Sequence, residues 1–334
     1  MVLVEEKIAD KKIFGDVYLG IDVGSVSTKF AIIDDNMELK YATWARSKGS
    51  PINSIQEGFD SLRKSLSDDM ESRIKGVGTT GSARYLTKAL VGADIAKTEI
   101  IAHAVAASYY VPGVRTILEI GGQDSKVILL KDGIITDFAM NSICAAGTGS
   151  FLDHQAHRLG IPIEEFGERA GKSKVEVVIA GRCTVFAESD MIHKQQMGHS
   201  KEDIIKGLCE ALVRNYLNNV CKGKKLEPPI TFQGGVAANS GIKTAFEKEL
   251  GHDIIVHDYF LTMGAIGAAM LAREHVLGEN TKTSFRGFKV SDMKFTPKAF
   301  NCSDCPNQCE VTYVEKDGGD IIARWGDRCG KWTM

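Results

Sequence analysis

Two cysteines have the clearest potential for chemistry in this chain, because each lies in a turn of small residues. Cys144 lies in residues 141–150 (NSICAAGTGS) and Cys183 in residues 180–190 (AGRCTVFAESD). A [4Fe–4S] cluster takes four thiolates, so two are too few for one subunit. A symmetric dimer would supply four, because its two-fold axis presents the same residues twice. Spacing alone favours the plainer alternative, in which both are small buried residues without a metal.

A second group of thiols lies near the C-terminus and consists of Cys302, Cys305, Cys309 and Cys329. The first three follow the pattern Cys-x-x-Cys-x-x-x-Cys in a segment of Pro, Asn and Asp, where packing alone explains them poorly. A hairpin is predicted between the third and fourth cysteines, with strands at 311–313 and 321–323 and a turn at Gly318 and Gly319. Four thiols on a hairpin predict a structural Zn²⁺ site or a second iron–sulfur cluster, with zinc slightly favoured. Cys209 and Cys221 are expected to pack rather than to bind a metal.

A glycine-rich hairpin is predicted twice. Residues 18–33 have the pattern of a strand, a glycine turn and a second strand, and this pattern returns at residues 117–130. The aligned pairs are Asp22 with Glu119, Gly24 with Gly121, Thr28 with Ser125, and Lys29 with Lys126. An internal repeat of this kind predicts two lobes that are built on one plan.

Hairpins of this type suit a polyphosphate. Glycine lets the backbone approach, amides and hydroxyls donate hydrogen bonds to phosphate oxygens, and lysine adds positive charge. The predicted phosphate-binding residues are Gly24, Ser25, Ser27, Thr28, Lys29, Gly121 and Gly122. The predicted catalytic residues are Asp22, Glu119, Gln123 and Asp124. Asp22 and the acid of the second hairpin would hold Mg²⁺ directly or through water. For one hairpin alone, a plain turn is an equal alternative.

A third glycine turn lies in residues 230–239 (ITFQGGVAAN), between a predicted strand and a predicted helix. Its small residues would let a helix N-terminus approach adenosine. The predicted adenosine-binding residues are Gly234, Gly235, Val236, Ala237 and Asn239. The chain has no Gly-x-x-x-x-Gly-Lys-Ser/Thr segment, so a Walker loop is excluded.

Together these motifs, which span residues 18–270, resemble the acetate kinase, sugar kinase, Hsp70 and actin superfamily. That resemblance implies an α/β fold of two ribonuclease-H-like lobes with ATP in the cleft. Within the superfamily, the chain most resembles the activators of 2-hydroxyacyl-CoA dehydratases and the ATPase subunits of benzoyl-CoA reductase. The segments that carry this resemblance are residues 119–124 (EIGGQD), 141–153 (NSICAAGTGSFLD) and 182–189 (RCTVFAES).

The family resemblance reverses the expectation for the cysteine pair. It implies that Cys144 and Cys183 bind one [4Fe–4S] cluster that a homodimer shares. It also implies hydrolysis of ATP to ADP with Mg²⁺, coupled to electron transfer from a ferredoxin or flavodoxin. The implied acceptor is a 2-hydroxyacyl-CoA dehydratase, a benzoyl-CoA-type reductase or a double-cubane cluster protein. The added C-terminal tail favours the last of these mildly.

The sequence predicts three regions. Lobe I would comprise residues 16–112 and 264–278, lobe II residues 113–263, and a C-terminal metal-binding module residues 285–334. Helices are predicted at 55–66, 100–110, 151–159, 163–170, 204–220 and 263–273, and further strands at 74–80 and 175–180.

Composition narrows the function further. The chain has 334 residues, 43% of them hydrophobic and 25% charged, with a formal net charge of −2. This balance predicts neither a nucleic-acid nor a membrane partner. The N-terminus is too acidic for a signal peptide, and no run approaches the roughly 20 apolar residues of a spanning helix. We therefore expect a cytoplasmic protein, in which eight cysteines indicate metal binding or free thiols.

Two other functions are compatible with the predicted fold. A small-molecule kinase would need a carboxylate base beside an acceptor hydroxyl, for which Asp124 is the candidate. That function would leave Cys144 and Cys183 unexplained. A chaperone or scaffold ATPase is disfavoured by the short length and by the lack of a substrate domain.

Overall fold

The computed structural model describes residues 15–47, 49–141 and 145–333. The chain divides into two units. Unit 1 contains the residues up to His103 and those from Gly264 onward, and unit 2 is Ala104–Met263.

Unit 1 is built on a five-stranded sheet in the order β3-β2-β1-β4-β5. The strands are β1 (Val17–Val23), β2 (Ser27–Asp34), β3 (Leu39–Arg46), β4 (Ile74–Thr80) and β5 (Ile95–Ala96). β1 pairs antiparallel with β2 and parallel with β4. Every residue of β1 is buried, which explains its continuous apolar sequence. The first predicted hairpin and the strand predicted at 74–80 are confirmed.

Unit 2 repeats this plan with a sheet in the order β10-β9-β6-β7-β8. The strands are β6 (Thr116–Ile120), β7 (Ser125–Lys131), β8 (Ile134–Met140), β9 (Ile230–Gln233) and β10 (Ile254–Ile255). β6 pairs antiparallel with β7 and parallel with β9, as β1 does with β2 and β4. The prediction of an α/β fold with two lobes of one plan is therefore confirmed.

Helices cover these sheets. They are α1 (Pro51–Ser65), α2 (Met70–Arg73), α3 (Arg84–Val91), α4 (Glu99–Tyr110), α5 (Gly149–Leu159), α6 (Phe166–Ala170), α7 (Thr184–Gln196), α8 (Lys201–Asn219), α9 (Ser240–Leu250) and α10 (Met263–Glu279). Short 3₁₀ turns lie at Ala145–Gly147, Ile163–Glu165, Gly235–Ala238 and Phe288–Asp292. In the described part of the chain, no helix combines the length and the apolar character that crossing a membrane requires.

Glycines in the first sheet let α10 pack unusually close. A Cβ atom at Gly20 would lie 1.8 Å from the carbonyl oxygen of Ala265, and one at Gly78 would lie 2.1 Å from that of Ala268. Both contacts are far shorter than van der Waals distance, so neither position accommodates a side chain without a shift of the helix. The small residues of α10 and these strand glycines therefore fix the helix against unit 1.

The strand predicted at residues 175–180 is wrong. The segment belongs to no strand, because side chains of neighbouring helices bind its backbone. The amide of Val175 donates to Asp203 Oδ1 at 2.9 Å, and the amide of Ala180 donates to Asp190 Oδ2 at 2.8 Å. Arg214 donates to the carbonyl of Ile179 at 2.8 Å. These hydrogen bonds replace those of a sheet ladder.

The C-terminal residues form a three-stranded antiparallel sheet with the order β11-β12-β13. Its strands are β11 (Phe295–Asn301), β12 (Glu310–Lys316) and β13 (Asp320–Trp325). The predicted hairpin is confirmed, and Gly318 and Gly319 supply positive φ values of 104° and 144° at its turn. Residues 283–293 connect α10 to this sheet. They lie along unit 1, where Gln56 donates to the carbonyl of Met293 at 2.7 Å.

Candidate active site

The first candidate element is the turn between β1 and β2 in unit 1. Asp22 and Lys29 are opposite each other in the strand register, and Lys29 Nζ lies 3.1 Å from Asp22 Oδ2. The amide of Gly24 donates to the carbonyl of Ser27 at 3.0 Å and closes the turn. Ser25 is exposed at the tip, whereas Gly24, Ser27 and Lys29 are half-buried. The turn thus presents backbone amides and hydroxyls beside one ion pair.

Thr28 differs from the other predicted phosphate-binding residues because it is fully buried. Its hydroxyl lies 2.7 Å from the hydroxyl of Ser54 and 3.4 Å from that of Ser47. The structure therefore places Thr28 inside unit 1, where it links β2 to the start of α1.

Two glycines surround the carboxylate of Asp22. Gly81 has a φ of +89°, and a Cβ atom there would lie 2.7 Å from Asp22 Oδ1. A Cβ atom at Gly264, in the first turn of α10, would lie 2.8 Å from Asp22 Oδ2. Sequence reasoning did not select either glycine. The segment Thr79-Thr-Gly-Ser82 after β4 was the available signal, because a glycine that directly follows a buried strand often marks a close approach of backbone.

The second candidate element is the turn between β6 and β7 in unit 2, and it repeats the first ion pair. Glu119 and Lys126 are opposite in register, with Lys126 Nζ 3.1 Å from Glu119 Oε2. Lys126 Nζ also lies 3.0 Å from Asp124 Oδ1. The amide of Gly121 donates to the carbonyl of Asp124 at 2.9 Å, as Gly24 does to Ser27.

The lysine of this second pair is more deeply buried, with 4% of its side chain exposed. Burial by itself would lower the pKa of Lys126. The carboxylates of Glu119 and Asp124 outweigh burial and raise that pKa well above its usual value. Lys126 is therefore a permanent cation, and its charge is exceeded by the two carboxylates that contact it.

The loop of the second hairpin is fixed by the N-terminus of α5. The amide of Gly149 donates to the carbonyl of Gly121 at 2.9 Å, and the amide of Ser150 donates to the carbonyl of Gly122 at 2.8 Å. The hydroxyl of Ser150 also donates to Gly122, at 2.5 Å. Gln123 is exposed in this loop. A displacement of the loop would therefore be transmitted directly to α5.

The third glycine turn follows β9 and forms a 3₁₀ turn that leads into α9. Gly234 has φ +88° and ψ 171°, and a Cβ atom there would lie 2.4 Å from the carbonyl oxygen of Ile120. Asn239 caps α9, since its Oδ1 accepts hydrogen bonds from the amides of Gly241 and Ile242 at 2.9 and 3.2 Å. Val236 and Ala237 are buried, and Gly235 is exposed. Asn239 therefore has a structural role as a helix cap.

A cavity of about 330 Å³ lies beside this cap, within unit 2. Its lining includes Gly167 and Gly171 near α6, Lys206 and Glu210 on α8, and Gly241 in α9. Gly167 is required here, because a Cβ atom would lie 2.6 Å from the amide nitrogen of Ser240. Sequence reasoning missed Lys206 and Glu210, although their spacing of four places them on one helix face.

Cys183 begins α7 as its N-cap residue and is half-buried. The first turn of this helix exposes two large apolar side chains, Val185 and Phe186, at 66% and 64% of their surface. An exposed apolar patch commonly marks a surface that another molecule covers. Cys144 lies outside the described residues.

Asn215 of α8 links two turns that were singled out in the sequence. Its Nδ2 donates to the carbonyl of Gly181 at 2.6 Å, two residues before Cys183. A Cβ atom at Gly147 would lie 2.9 Å from Asn215 Oδ1, and Gly147 directly precedes the segment that leads into α5. One buried side chain of unit 2 therefore contacts the backbone beside both helix starts.

The other cysteines fall into two groups. Cys209 and Cys221 are buried in the core of unit 2, as expected, and burial raises the pKa of each thiol to about 12. In the C-terminal segment, Cys302 is buried, Cys309 is half-buried, and Cys305 and Cys329 are exposed. Among the described residues, no three His, Cys, Asp or Glu side chains are arranged around a common metal position.

Comparison with known proteins identifies the family. Residues 19–272 match the BadF/BadG/BcrA/BcrD ATPase family. The chain belongs to this family. The predicted resemblance and the predicted assignment as an ATPase are therefore confirmed.

Three activator proteins illustrate the similarity. The (R)-2-hydroxyglutaryl-CoA dehydratase activating ATPase of Acidaminococcus fermentans is 35% identical over 76% of this chain and 96% of its own. The activator of lactoyl-CoA dehydratase from Anaerotignum propionicum is 36% identical over 77% of this chain and 97% of its own. The solved structure of the activator of the 2-hydroxyisocaproyl-CoA dehydratase from Clostridium difficile, with bound ADPNP, matches with a TM-score of 0.73 and 32% identity, covering 79% of this chain and 97% of that one.

Proposed function

We propose that this chain is an ATPase that drives low-potential electron transfer. It accepts an electron from a ferredoxin or flavodoxin and passes it through a [4Fe–4S] cluster that two copies of the chain hold between them. The acceptor is an iron–sulfur enzyme, namely a 2-hydroxyacyl-CoA dehydratase, a benzoyl-CoA-type reductase or a double-cubane cluster protein. Relatives named as dehydratase activators, matched over nearly their whole length, support this assignment.

The surface around Cys183 is the observation that carries the proposal. A half-buried thiol at the start of a 13-residue helix, beside the exposed Val185 and Phe186, is unexplained in an ATPase that only hydrolyses nucleotide. The thiol lies at the positive end of the helix dipole, and the thiolate is the form that binds iron. A second copy of the chain would cover the apolar residues. With Cys144, the dimer would supply the four thiolates that one cluster takes.

The two hairpins differ in net charge, and each suits a different part of MgATP. In the first, the carboxylate of Asp22 and the ammonium of Lys29 balance, so the amides and hydroxyls of Gly24, Ser25 and Ser27 meet phosphate oxygens without net repulsion. In the second, two carboxylates exceed the single charge of Lys126, which favours a cation. We therefore assign Mg²⁺ to the second hairpin, in accord with its preference for carboxylate oxygens and water.

Adenosine is assigned to the cavity beside α9. Its volume of about 330 Å³ is within the range of small-molecule sites. Gly167 and Gly241 line it with backbone only, and their lack of side chains lets α6 and α9 pack closely at its edge. Lys206 and Glu210 supply a donor and an acceptor on the opposite wall, which would orient the ribose or the base.

The coupling between nucleotide and electron transfer is assigned to α5. The loop of Gly121 and Gly122 is hydrogen-bonded to the first two residues of this helix, and Cys144 precedes the helix by five residues in the sequence. A change in the loop on ATP binding or hydrolysis would shift the start of α5. Asn215 contacts the backbone near α5 and near Cys183, so both segments would respond together.

The cluster itself supplies one-electron chemistry at a potential set by its surroundings. The residues of this chain would hold it beside the N-terminus of α7, exclude water with Val185 and Phe186, and alter its surroundings when α5 moves. Lowering a one-electron potential by roughly 200 mV takes about 5 kcal/mol, and this falls within what differential binding of a nucleotide to two conformations supplies.

A small-molecule kinase is the second candidate, and it is less well supported. Asp124 would be its general base. One carboxylate oxygen of Asp124 already lies 3.0 Å from Lys126 Nζ and is therefore occupied by this ion pair. A kinase also leaves the surface around Cys183 without a purpose.

Strictly anaerobic purification tests the proposal. The wild-type protein should be brown and carry about four iron atoms per dimer. Cys183→Ser should lose this iron and keep nucleotide binding, whereas Ser189→Ala, an exposed change on the same helix, should keep both. Phe186→Asp should convert dimer to monomer in sedimentation and lose iron as well. A colourless wild-type protein that hydrolyses ATP would contradict the proposal and favour the kinase.

A further inference from the structure

The C-terminal cysteines lie beyond residues 19–272, which match the ATPase family, and the proposed electron transfer does not use them. Cys302, Cys305 and Cys309 lie on the loop between β11 and β12, and Cys329 lies after β13. Because β12 is antiparallel to both neighbours, the start of β12 and the end of β13 lie at one end of the sheet. The fold therefore brings all four thiol-bearing segments to the same end.

Contacts beyond the strands draw these two segments together. The indole nitrogen of Trp332 donates to Cys302 Sγ at 3.3 Å, and the Trp332 ring packs against Phe300 with centroids 5.1 Å apart. Lys331 forms an ion pair with Asp304. The segment that contains Cys329 is therefore folded back onto the loop that contains the other three cysteines.

We propose that these four cysteines bind one Zn²⁺ ion as a tetrathiolate site. The thiol spacing, the loop at the end of an antiparallel sheet and the hydrogen bond to a sulfur are all features of structural zinc sites. This inference does not depend on the electron-transfer proposal, because it concerns residues outside the part of the chain assigned to that function.

A single ion fits the loop better than a second iron–sulfur cluster does. The amide of Cys302 donates a hydrogen bond of 2.8 Å to the carbonyl of Cys309. The two ends of the loop, which form its neck, are therefore close together. Ligand sulfurs around one tetrahedral zinc lie about 3.8 Å apart, given Zn–S bonds of about 2.3 Å. A cubane separates its four cysteine sulfurs farther and would have to open this neck.

The four thiols do not yet surround one point: Cys305 and Cys329 are exposed, and among the described residues no three ligand side chains share a centre. Metal binding must therefore draw in two exposed side chains. The cost is local, because both lie on loops outside the strand ladders. Closure of the loop around the metal would also stabilise this end of the sheet, where β11 is almost wholly exposed. Bound metals commonly stabilise small domains that have little core.

The site is fixed to unit 1 through the connection at residues 283–293. Phe285 and Phe288 stack near Phe59 of α1, with centroid distances of 5.8 and 6.2 Å. Arg63 of α1 pairs with Asp292 at 2.8 Å. A zinc ion in the loop would consequently rigidify one end of the sheet. The segment that leads into the sheet is already held by its contacts with α1.

Metal analysis of the full-length protein tests this proposal. Wild type should contain about one zinc per chain, and Cys305→Ser and Cys329→Ser should each lose at least nine-tenths of it. Both thiols are exposed, so these variants should keep their far-ultraviolet circular dichroism. Ser303→Ala, an exposed change in the same loop, should keep the zinc. Cys183→Ser should keep zinc and lose iron, which separates this site from the proposed cluster.

Cobalt provides a second readout. After removal of zinc, Co²⁺ added to the wild type should give the intense visible bands of a tetrahedral thiolate complex, and added to Cys305→Ser it should not. The proposal is overturned if wild type holds no zinc and gives no such bands. It is also overturned if the serine variants retain full zinc, or if Cys305→Ser loses iron in place of zinc, which would indicate a second iron–sulfur cluster.

Discussion

The two hairpins share an acid–lysine pair in register and a glycine turn, yet they are attached to the rest of the protein differently. In the first, the hydroxyl of Ser47 donates to the carbonyl of Gly24 at 3.3 Å. In the second, the first residues of α5 donate two amides and one hydroxyl to the loop. The amide of Ser47 also donates to the carbonyl of Val26 at 2.8 Å. One residue after β3 therefore fixes the first turn, whereas the start of a helix is joined to the second.

The two hairpins also differ in the charges that surround their lysines. Lys29 contacts Asp22 at 3.1 Å, while Lys126 contacts both Glu119 and Asp124 and is more deeply buried. The second lysine is therefore a counterion for two carboxylates, of which that of Glu119 is buried. Duplicated motifs need not keep one role. We propose phosphate binding for the first hairpin, and Mg²⁺ binding with transmission to α5 for the second.

The largest expected effect is a difference in stability between variants of the two lysines. Lys126→Met should lower the free energy of unfolding by about 3–5 kcal/mol, because it leaves the buried carboxylate of Glu119 without a partner. Lys29→Met should cost less stability, since its pair is more exposed, and should instead reduce ATP affinity. Urea unfolding and nucleotide titration of both variants measure these effects. Adding Glu119→Gln to Lys126→Met should restore part of the loss, and equal losses for the two lysines would refute the distinction.

The next effect concerns the glycines beside the two acids. Gly234→Ala should cost about 3 kcal/mol, because its φ and ψ of 88° and 171° lie in a region that only glycine adopts readily. Gly81→Ala, at φ +89°, should behave similarly. Gly251→Ala is the control, since it has a φ of +67° with no atom within 4 Å of the new Cβ and should cost about 1 kcal/mol. Thermal unfolding that ranks Gly251 with the other two would show that crowding at the acids is unimportant.

Much of this architecture is predictable from the sequence, because each hairpin has a recognisable pattern within a short stretch of residues. The strand at Ile74–Thr80 has its predicted bounds, and both glycine turns lie where the repeat places them. In contrast, the backbone at residues 175–180 is bound by Asp190 and Asp203, which are distant in sequence. An apolar run does not reveal that its amides are already satisfied by side chains.

In the candidate site, too, contacts within one hairpin are predictable from the sequence, and contacts between distant elements are not. Asp22 and Lys29 are paired within one hairpin, so their spacing predicts their contact. Lys206 and Glu210 line a cavity whose other walls come from α6 and α9, and only the packed helices show that they meet. Thr28 was predicted to bind phosphate from its position in the motif. Its burial against Ser54 depends on α1, which the motif does not contain.

A smaller effect tests the connection between the second hairpin and α5. Ser150→Ala should cost about 1 kcal/mol of stability, the usual contribution of one hydrogen bond, and should leave iron content unchanged. It should weaken the difference between the cluster's electron paramagnetic resonance spectra in ADP and in ATP. Ser47→Ala, the matched change at the first hairpin, should leave that difference intact. If both variants behave like wild type, α5 does not couple the nucleotide to the cluster.

The smallest effect is a pH dependence. The carboxylates of Glu119 and Asp124 raise the pKa of Lys126 above its unfolded value, despite burial. A raised pKa means that the folded protein holds the proton more tightly, so this stabilisation is complete below the unfolded pKa of about 10.4. It is lost only as the pH rises through the folded value. The difference in unfolding free energy between wild type and Lys126→Met should thus be constant from pH 6 to 9, and should shrink at higher pH. A difference that changes near neutrality would contradict a permanent positive charge on Lys126, and with it the counterion role that distinguishes the second hairpin from the first.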